Sequence, residues 1–304
     1  MPVVTLAQYL RPDLILYLCP LGCYLALSAG IFAHNHNHCP TFTSKRANGV
    51  FATVLSLFYG YPTFAWVPTH NLNHHKFVNR AGDATITWRH TNKHNWLVAS
   101  TYFFVSSYWQ SEPIKDYIRK ARAKNPKLFR SIVTQYAIWG GTGLALLILG
   151  VALHGAPKGA IVWVFATGLP WFFALWTIML FNYIQHVHTD PWSKHNHSRN
   201  FTGALMGFFL FNNGFHAVHH ENPGAHWSAL PALHAKIEHE IHPELKQNNV
   251  LVYFVKTYFL ALFSSRFESK QIGRAPFEPP GGGQVDLTTA EVPAVEAGTN
   301  AAMV

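Results

Sequence analysis

Three segments of the chain are apolar throughout and contain no Asp, Glu, Lys, Arg or His. They are Leu14–Ala33, Ile132–Leu153 and Ala160–Phe181, each about 20 residues long. A helix of that length crosses roughly 30 Å of hydrocarbon. Only the turn His154–Gly159 separates the last two segments, which predicts a helical hairpin across a bilayer. Pro170 predicts a kink in the second helix of that hairpin.

Other apolar segments suit the membrane surface better than its interior. Trp96–Trp109 is rich in aromatic residues, and Val250–Phe263 is too short to span, so we predict helices in the membrane plane for both. From about Pro276 the chain is rich in Pro, Gly and Ala and loses its periodicity, which predicts a disordered tail. The pattern therefore divides the chain into a membrane domain, residues 1–275, and a C-terminal tail, residues 276–304.

Composition agrees with a membrane protein, because only 12% of the residues are charged and 49% are hydrophobic. An ordinary soluble domain carries about twice that charge. The net charge of +9 raises the question of nucleic acid. The basic residues concentrate in Lys115–Arg130, which we predict to be a loop, and no nucleic-acid motif surrounds them. Positive charge beside the membrane explains them, and we expect no nucleic-acid partner.

Histidines gather in four groups, each where an apolar segment ends. The groups fall within residues 34–38, 70–75, 182–188 and 216–220. In the first, second and last groups imidazoles recur at i+3 or i+4, so on a helix they share one face. In the remaining group the i, i+4 pair is Asn182 and His186. Neutral imidazole is a common ligand for iron and zinc.

Nine histidines are the preferred ligands. His36 is a weaker candidate, because it lies on the opposite side of its helical turn. The nine are His34, His38, His70, His74, His75, His186, His216, His219 and His220. Nine exceed the coordination number of a single ion, so the sequence predicts two metal ions.

A shared site requires all four groups on the same side of the membrane. Val50–Val67 lies between the first two groups and is interrupted by Gly60 and Pro62, so we predict a re-entrant or interfacial segment. With the groups facing the cytoplasm, 21 of the 23 Lys and Arg residues lie on that side, and only Arg11 and Lys158 lie opposite. Positive charge favours that orientation. We expect an all-α integral membrane protein with transmembrane helices, in-plane interfacial helices and a cytosolic histidine-rich cap.

The histidine spacing resembles that of the membrane fatty acid desaturase and hydroxylase superfamily. Its three histidine boxes follow the patterns HxxxH, HxxxHH and HxxHH. The chain matches them in order at His34–His38, His70–His75 and His216–His220. The resemblance covers roughly residues 14 to 245.

Smaller features carry the same resemblance. Phe215, Pro223 and the pair Gly82-Asp83 resemble desaturase sequence, and Asn182 with His186 resembles the extra ligand segment before the last box. The chain departs from the superfamily in one respect. Desaturases often have two membrane helices before the first box, and this chain has room for one.

The resemblance implies a non-haem centre of two iron ions that activates O2 and takes electrons from an external ferredoxin or cytochrome b5-type donor. We expect an enzyme that introduces a double bond into a fatty acyl chain linked to a lipid, coenzyme A or a carrier protein. Hydroxylase, ketolase or acetylenase activity on a lipid or carotenoid substrate is the alternative within the superfamily. Asn182 is expected to face the metal, directly or through water. Asp190 and Glu221 are expected to hydrogen-bond ligand imidazoles.

Two readings outside the superfamily are less favoured. A non-enzymatic metal-binding or transport protein would also carry histidines, but a transporter carries ionisable groups along its path through the membrane. The three long apolar segments contain none. A zinc hydrolase is disfavoured because nothing supplies the carboxylate base that accompanies such a site.

Overall fold

The structure, a computed structural model, describes residues 1–283, 285 and 292–294. It divides into two units. The first contains residues 1–67 and 117–178, and the second contains residues 68–116 and the described residues from 179 onward. Regular structure in the described chain is helical apart from two strands of two residues each. The prediction of an all-α protein is therefore confirmed.

The elements are numbered along the chain. The helices are α1 (Pro2–Leu10), α2 (Ile15–His38), α3 (Lys45–Tyr59), α4 (His75–Phe77), α5 (Trp96–Lys124), α6 (Pro126–His154), α7 (Ala156–Trp163), α8 (Leu169–His186), α9 (Ala204–Phe209), α10 (His216–Glu221), α11 (Leu230–Ile237) and α12 (Val250–Phe254). The strands are β1 (Asn200–Phe201) and β2 (Lys246–Gln247), which pair in parallel. π-Helical turns at Val67–His74 and Val164–Gly168 lead into α4 and α8.

Three helical segments are long and apolar enough to cross a membrane. They are Pro12–His38, Pro126–His154 and Ala156–His186. They contain the three apolar segments predicted as spans. In α6, Leu144 and Ile148 are each more than half exposed, as expected of side chains that contact lipid rather than protein.

The first unit packs these helices through small residues and aromatic rings. One buried cluster joins Tyr9, Cys19 and Cys23 to Val162 and Ala166. α6 and α7 approach so closely that Gly150 and Gly159 contact each other through their backbones. Small residues permit this approach, and in a membrane the close backbone packing stabilises the pair.

The segment between the first two histidine groups is bent. α3 ends at Tyr59, and the next residue, Gly60, has φ +90 and forms a left-handed cap. The next helical segment, Thr63–Phe77, is inclined by 101° to α3. That angle is typical of a broken span or a re-entrant loop.

The basic segment is helical, and the prediction of a loop at Lys115–Arg130 was wrong. α5 continues to Lys124, and α6 begins at Pro126 after the single residue Asn125, whose side chain caps it. The loop prediction rested on polarity alone. Lys, Arg and Ala are good helix formers, so a charged stretch on a solvated surface continues a helix readily.

The second unit places α10 between two small apolar cores. Phe215 and Val218 pack with Leu230 of α11, while Ala217 packs with Ile241 and Leu245. The apolar residues of this short helix are thus buried in the unit. Its three histidines lie on the remaining face.

The predicted C-terminal tail lies largely outside the described residues. Residues 284, 286–291 and 295–304 are not described. Within the described part, the Phe277 ring packs against Trp88 at a centroid distance of 5.7 Å. The division at residue 276 stays a prediction.

Candidate metal centre

The last histidine box lies on α10, which is only six residues long. The side chain of Asn200 in β1 accepts a hydrogen bond from the Ala217 backbone N–H at 2.9 Å. This bond and the two apolar cores hold a helix too short to be stable alone. His216 and His219 are each 6% exposed.

Four imidazoles of the second unit converge on one point. One nitrogen from each of His74, His186, His216 and His220 lies within 4.8 Å of the corresponding nitrogens of the other three. The Nε2 atom of His216 is 2.9 Å from Nε2 of His186 and 3.2 Å from Nε2 of His220. The ring of His74 is 4.7 Å from that of His186 and 4.9 Å from that of His220. We call these four residues the inner quartet.

Hydrogen bonds fix the orientation of two quartet rings. Nδ1 of His74 lies 2.8 Å from the Asp83 carboxylate, and Nδ1 of His186 lies 3.1 Å from the carbonyl oxygen of His197. Both oxygens only accept, so each Nδ1 donates its proton and each Nε2 carries the lone pair. Partners of this kind orient histidines toward a metal in known metal sites.

The electrostatic environment keeps ring nitrogens of the quartet available to bind a metal. Burial, together with the neighbouring imidazoles, holds the pKa of His220 well below its ordinary value, so the ring is neutral. The pKa of Asp83 is lowered. Burial alone would raise it, but the interaction with His74 and hydrogen bonds from His74, Thr85 and Asn79 outweigh burial. Asp83 is therefore an ionised acceptor for His74.

The quartet fits a metal ion. Nε2 of His74 and Nδ1 of His220 are buried and have no hydrogen-bond partner among the residues that the structure describes. Leaving such a nitrogen buried and unsatisfied costs about 1–3 kcal/mol. The Nδ1 hydrogen bond of His74 leaves its Nε2 with a lone pair, and a cation bound to that atom removes the cost. The donor set, all imidazole nitrogen, suits iron, copper, nickel and zinc.

A second group lies beside the quartet in the same unit. Nε2 of His75 is 3.1 Å from Nε2 of His70 and 3.1 Å from Nε2 of His219. The ring of His75 also lies 4.4 Å from the ring of His220, which belongs to the quartet. Seven of the nine predicted ligands thus form one continuous cluster in the second unit.

The other two predicted ligands belong to the first unit. His34 and His38 lie at the C-terminal end of α2, with their ring centroids 4.9 Å apart in an edge-to-face arrangement. His36 is directed elsewhere. Its two nitrogens contact Thr41 Oγ1 at 2.9 Å and the Asn48 carbonyl oxygen at 3.2 Å.

The polar residues suggested from the sequence have other partners. Asn182 donates to the Tyr102 hydroxyl at 2.9 Å, and the Asp190 carboxylate accepts the Trp192 backbone N–H at 3.0 Å. Glu221 accepts from Nδ1 of His195 at 2.7 Å. Sequence reasoning did not assign a role to Asp83 or His197, which contact ligand candidates directly. The available signal was an acidic residue nine positions after His74 in the pair Gly82-Asp83.

These features define an all-α membrane protein with a buried, histidine-rich metal centre. The chain belongs to the fatty acid desaturase family, because the sequence model of that family matches residues 13–250. The members of this family are oxidoreductases, which supports the conclusion that the chain is an enzyme. No curated protein and no solved structure was found to match the chain.

Proposed function

We propose that this chain is an O2-dependent di-iron oxidase that introduces a double bond into a fatty acyl chain. The observation that carries the proposal is the cluster of seven imidazoles in the second unit, found in a chain of the desaturase family. Nitrogen ligation without a carboxylate bridge still permits iron, at which open positions must remain for O2.

The chain's own residues hold and orient the ions. The inner quartet would hold one iron, and His70, His75 and His219 would hold the second. His34 and His38 of α2 remain iron ligands predicted from the sequence. When bound, iron supplies the activation of O2 that side chains cannot achieve. Asp83 and the His197 carbonyl oxygen fix the rings of His74 and His186. The burial of His74, His186, His216 and His219 keeps bulk water away from these rings.

The reaction requires electrons from an external donor. Removing two hydrogens from adjacent methylenes and reducing O2 to two water molecules takes two further electrons and two protons. A ferredoxin or cytochrome b5-type protein supplies the electrons one at a time. The substrate is a fatty acyl chain linked to a lipid, coenzyme A or a carrier protein, and it reaches the enzyme from the bilayer. The excess of Lys and Arg on one side supports a cytoplasmic orientation of the histidine site.

Expression in a host with a compatible reductant, followed by mass-spectrometric analysis of its fatty acids, tests the proposal. New monounsaturated or further unsaturated chains are expected. His74→Ala and His219→Ala should each abolish the product and lower bound iron while membrane insertion persists. His90→Ala is the matched control, because His90 is an exposed histidine outside the boxes.

The outcomes separate the alternatives. Full activity in His74→Ala or His219→Ala contradicts the ligand assignment. A hydroxylated, keto or acetylenic product keeps the metal centre but replaces desaturation with the corresponding reaction. Purified protein that never contains iron contradicts the di-iron proposal.

A further inference from the structure

A second group of metal-ligand side chains lies outside the histidine boxes, around His195. This residue belongs to the connection between α8 and β1 and is 5% exposed. Its ring stands between two carboxylates. Nδ1 lies 2.7 Å from Oε1 of Glu221, and Nε2 lies 3.4 Å from Oε2 of Glu240.

A neutral His195 has one proton to donate, but each of its two ring nitrogens faces a carboxylate. A carboxylate accepts and does not donate, so Nδ1 gives its proton to Glu221. In a neutral imidazole Nε2 then carries a lone pair, directed toward the Glu240 oxygen. Nε2 is buried and has no hydrogen-bond partner in the described part of the chain. Two lone pairs that face each other across 3.4 Å repel, and either a proton on Nε2 or a metal ion bound by both groups relieves the repulsion.

A third ligand follows Glu240 closely. Nε2 of His239 lies 3.9 Å from the other oxygen, Oε1, of Glu240. His239 is 75% exposed in its side chain, so it can rotate toward a shared ion at little cost. The neighbouring acid is already engaged, because Glu238 lies 4.0 Å from Nζ of Lys246. Glu240 has no such lysine among its ion-pair contacts in the described residues.

We propose that His195, His239 and Glu240 bind a divalent transition-metal ion of the zinc class, separate from the histidine-box centre. Two imidazole nitrogens and one carboxylate oxygen, with water completing the coordination, form a ligand set that zinc accepts. The Glu221–His195 hydrogen bond is the orienting contact that such a histidine ligand uses. The ion joins the connection around His195 to the turn at Glu238–Glu240.

An ion bound at this site also affects the histidine-box centre, because the two sites share short stretches of backbone. His197, two residues after His195, is the carbonyl acceptor for His186. Glu221, which holds His195, directly follows His220 on α10. An ion bound by His195, His239 and Glu240 therefore supports the segment that holds the His197 carbonyl and the residue that follows His220, without touching the quartet.

The test counts zinc ions in purified full-length protein by elemental mass spectrometry after equilibration with buffered zinc. Glu240→Gln keeps the size of the side chain and removes its charge, and it should bind one zinc fewer per chain than the unsubstituted protein. Glu238→Gln is the matched control, an exposed acid in the same turn, and should bind the same number. In a His216→Ala/His220→Ala background, which disables the inner quartet, adding Glu240→Gln should still remove one zinc per chain.

Thermal unfolding supplies a second measurement. Zinc should raise the Tm of the unsubstituted protein and of Glu238→Gln, with a smaller rise in Glu240→Gln. His239→Ala, at an exposed position that tolerates truncation, should weaken the zinc bound in the His216→Ala/His220→Ala background. Equal zinc content in Glu240→Gln and Glu238→Gln overturns the proposal and leaves a protonated His195 between two carboxylates. Loss of all zinc in the His216→Ala/His220→Ala background also overturns it.

Discussion

Nδ1 of His74 lies 2.8 Å from Oδ2 of Asp83, and both side chains are almost fully buried. Asp83 is held in turn by the backbone N–H of Asn79 at 2.7 Å and by the backbone N–H and hydroxyl of Thr85, each at 2.7 Å. A carboxylate with this many donors is rigid. It fixes the His74 ring and directs Nε2 into the inner quartet.

Asp83→Asn should therefore weaken metal binding while the fold survives. An amide has the same size but lacks the charge that favours the Nδ1 proton, and loss of such a partner typically costs about 10–100-fold in metal affinity or activity. Iron retention against a chelator measures the effect. Asp190→Asn is the control, since Asp190 caps the Trp192 backbone instead. Equal iron retention in both variants would show that the Asp83 contact does not orient a ligand.

The sequence could predict the helical part of the metal centre. Spacing at i+3 and i+4 places His216, His219 and His220 on one face wherever a helix forms, and the structure contains that helix as α10. The sequence also predicted the three candidate spans, because length and composition alone define a candidate span. The assignment of the individual histidines as iron ligands stays a prediction.

Contacts that come from turns could not be predicted in this way. Asp83 reaches His74 through a turn in which Val78 and Asn79 have φ of 44 and 61. No periodic pattern marks such a turn, and β-branched Val rarely adopts that conformation. The His197 carbonyl and the Glu221–His195 pair likewise depend on tertiary packing between segments distant in the chain.

Arg199 is expected to stabilise the end of α8. Its guanidinium donates to the carbonyl oxygens of Ile184 and Val187, on either side of His186, and stacks 5.0 Å from the Tyr253 ring centroid. Arg199→Gln leaves buried carbonyls unsatisfied, which should cost about 1–3 kcal/mol and lower the Tm in detergent. Arg199→Lys keeps the charge but lacks the planar guanidinium that stacks on Tyr253, so its Tm should be intermediate. An unchanged Tm in Arg199→Gln would refute the capping role.

His234 should make stability depend on pH. Burial holds its pKa below the ordinary value of 6.5, with smaller opposing effects of Glu238, which raises it, and Lys246, which lowers it. Below the ordinary value the unfolded chain takes up a proton that the folded chain resists, so stability falls as the pH decreases through that range. His234→Gln removes this titration. The fall in Tm between about pH 7.5 and about pH 5.5 should be smaller in the variant, because the other histidines contribute equally to both proteins. Identical falls would contradict the prediction.

The contact between α6 and α7 should tolerate no side chain. A Cβ atom at Gly159 would overlap the backbone of Gly150, and backbone cannot rotate away as a flexible side chain can. Gly159→Ala should therefore separate the helices and destabilise the protein by about 1–3 kcal/mol, the usual cost of overpacking. Gly141→Ala in α6 is the matched control, since a Cβ there meets nothing within 4 Å. It should be neutral or stabilise by up to about 1 kcal/mol, because Ala favours a helix over Gly. Thermal unfolding in detergent compares the two, and equal Tm values would mean that the close approach of these backbones is not required for the fold.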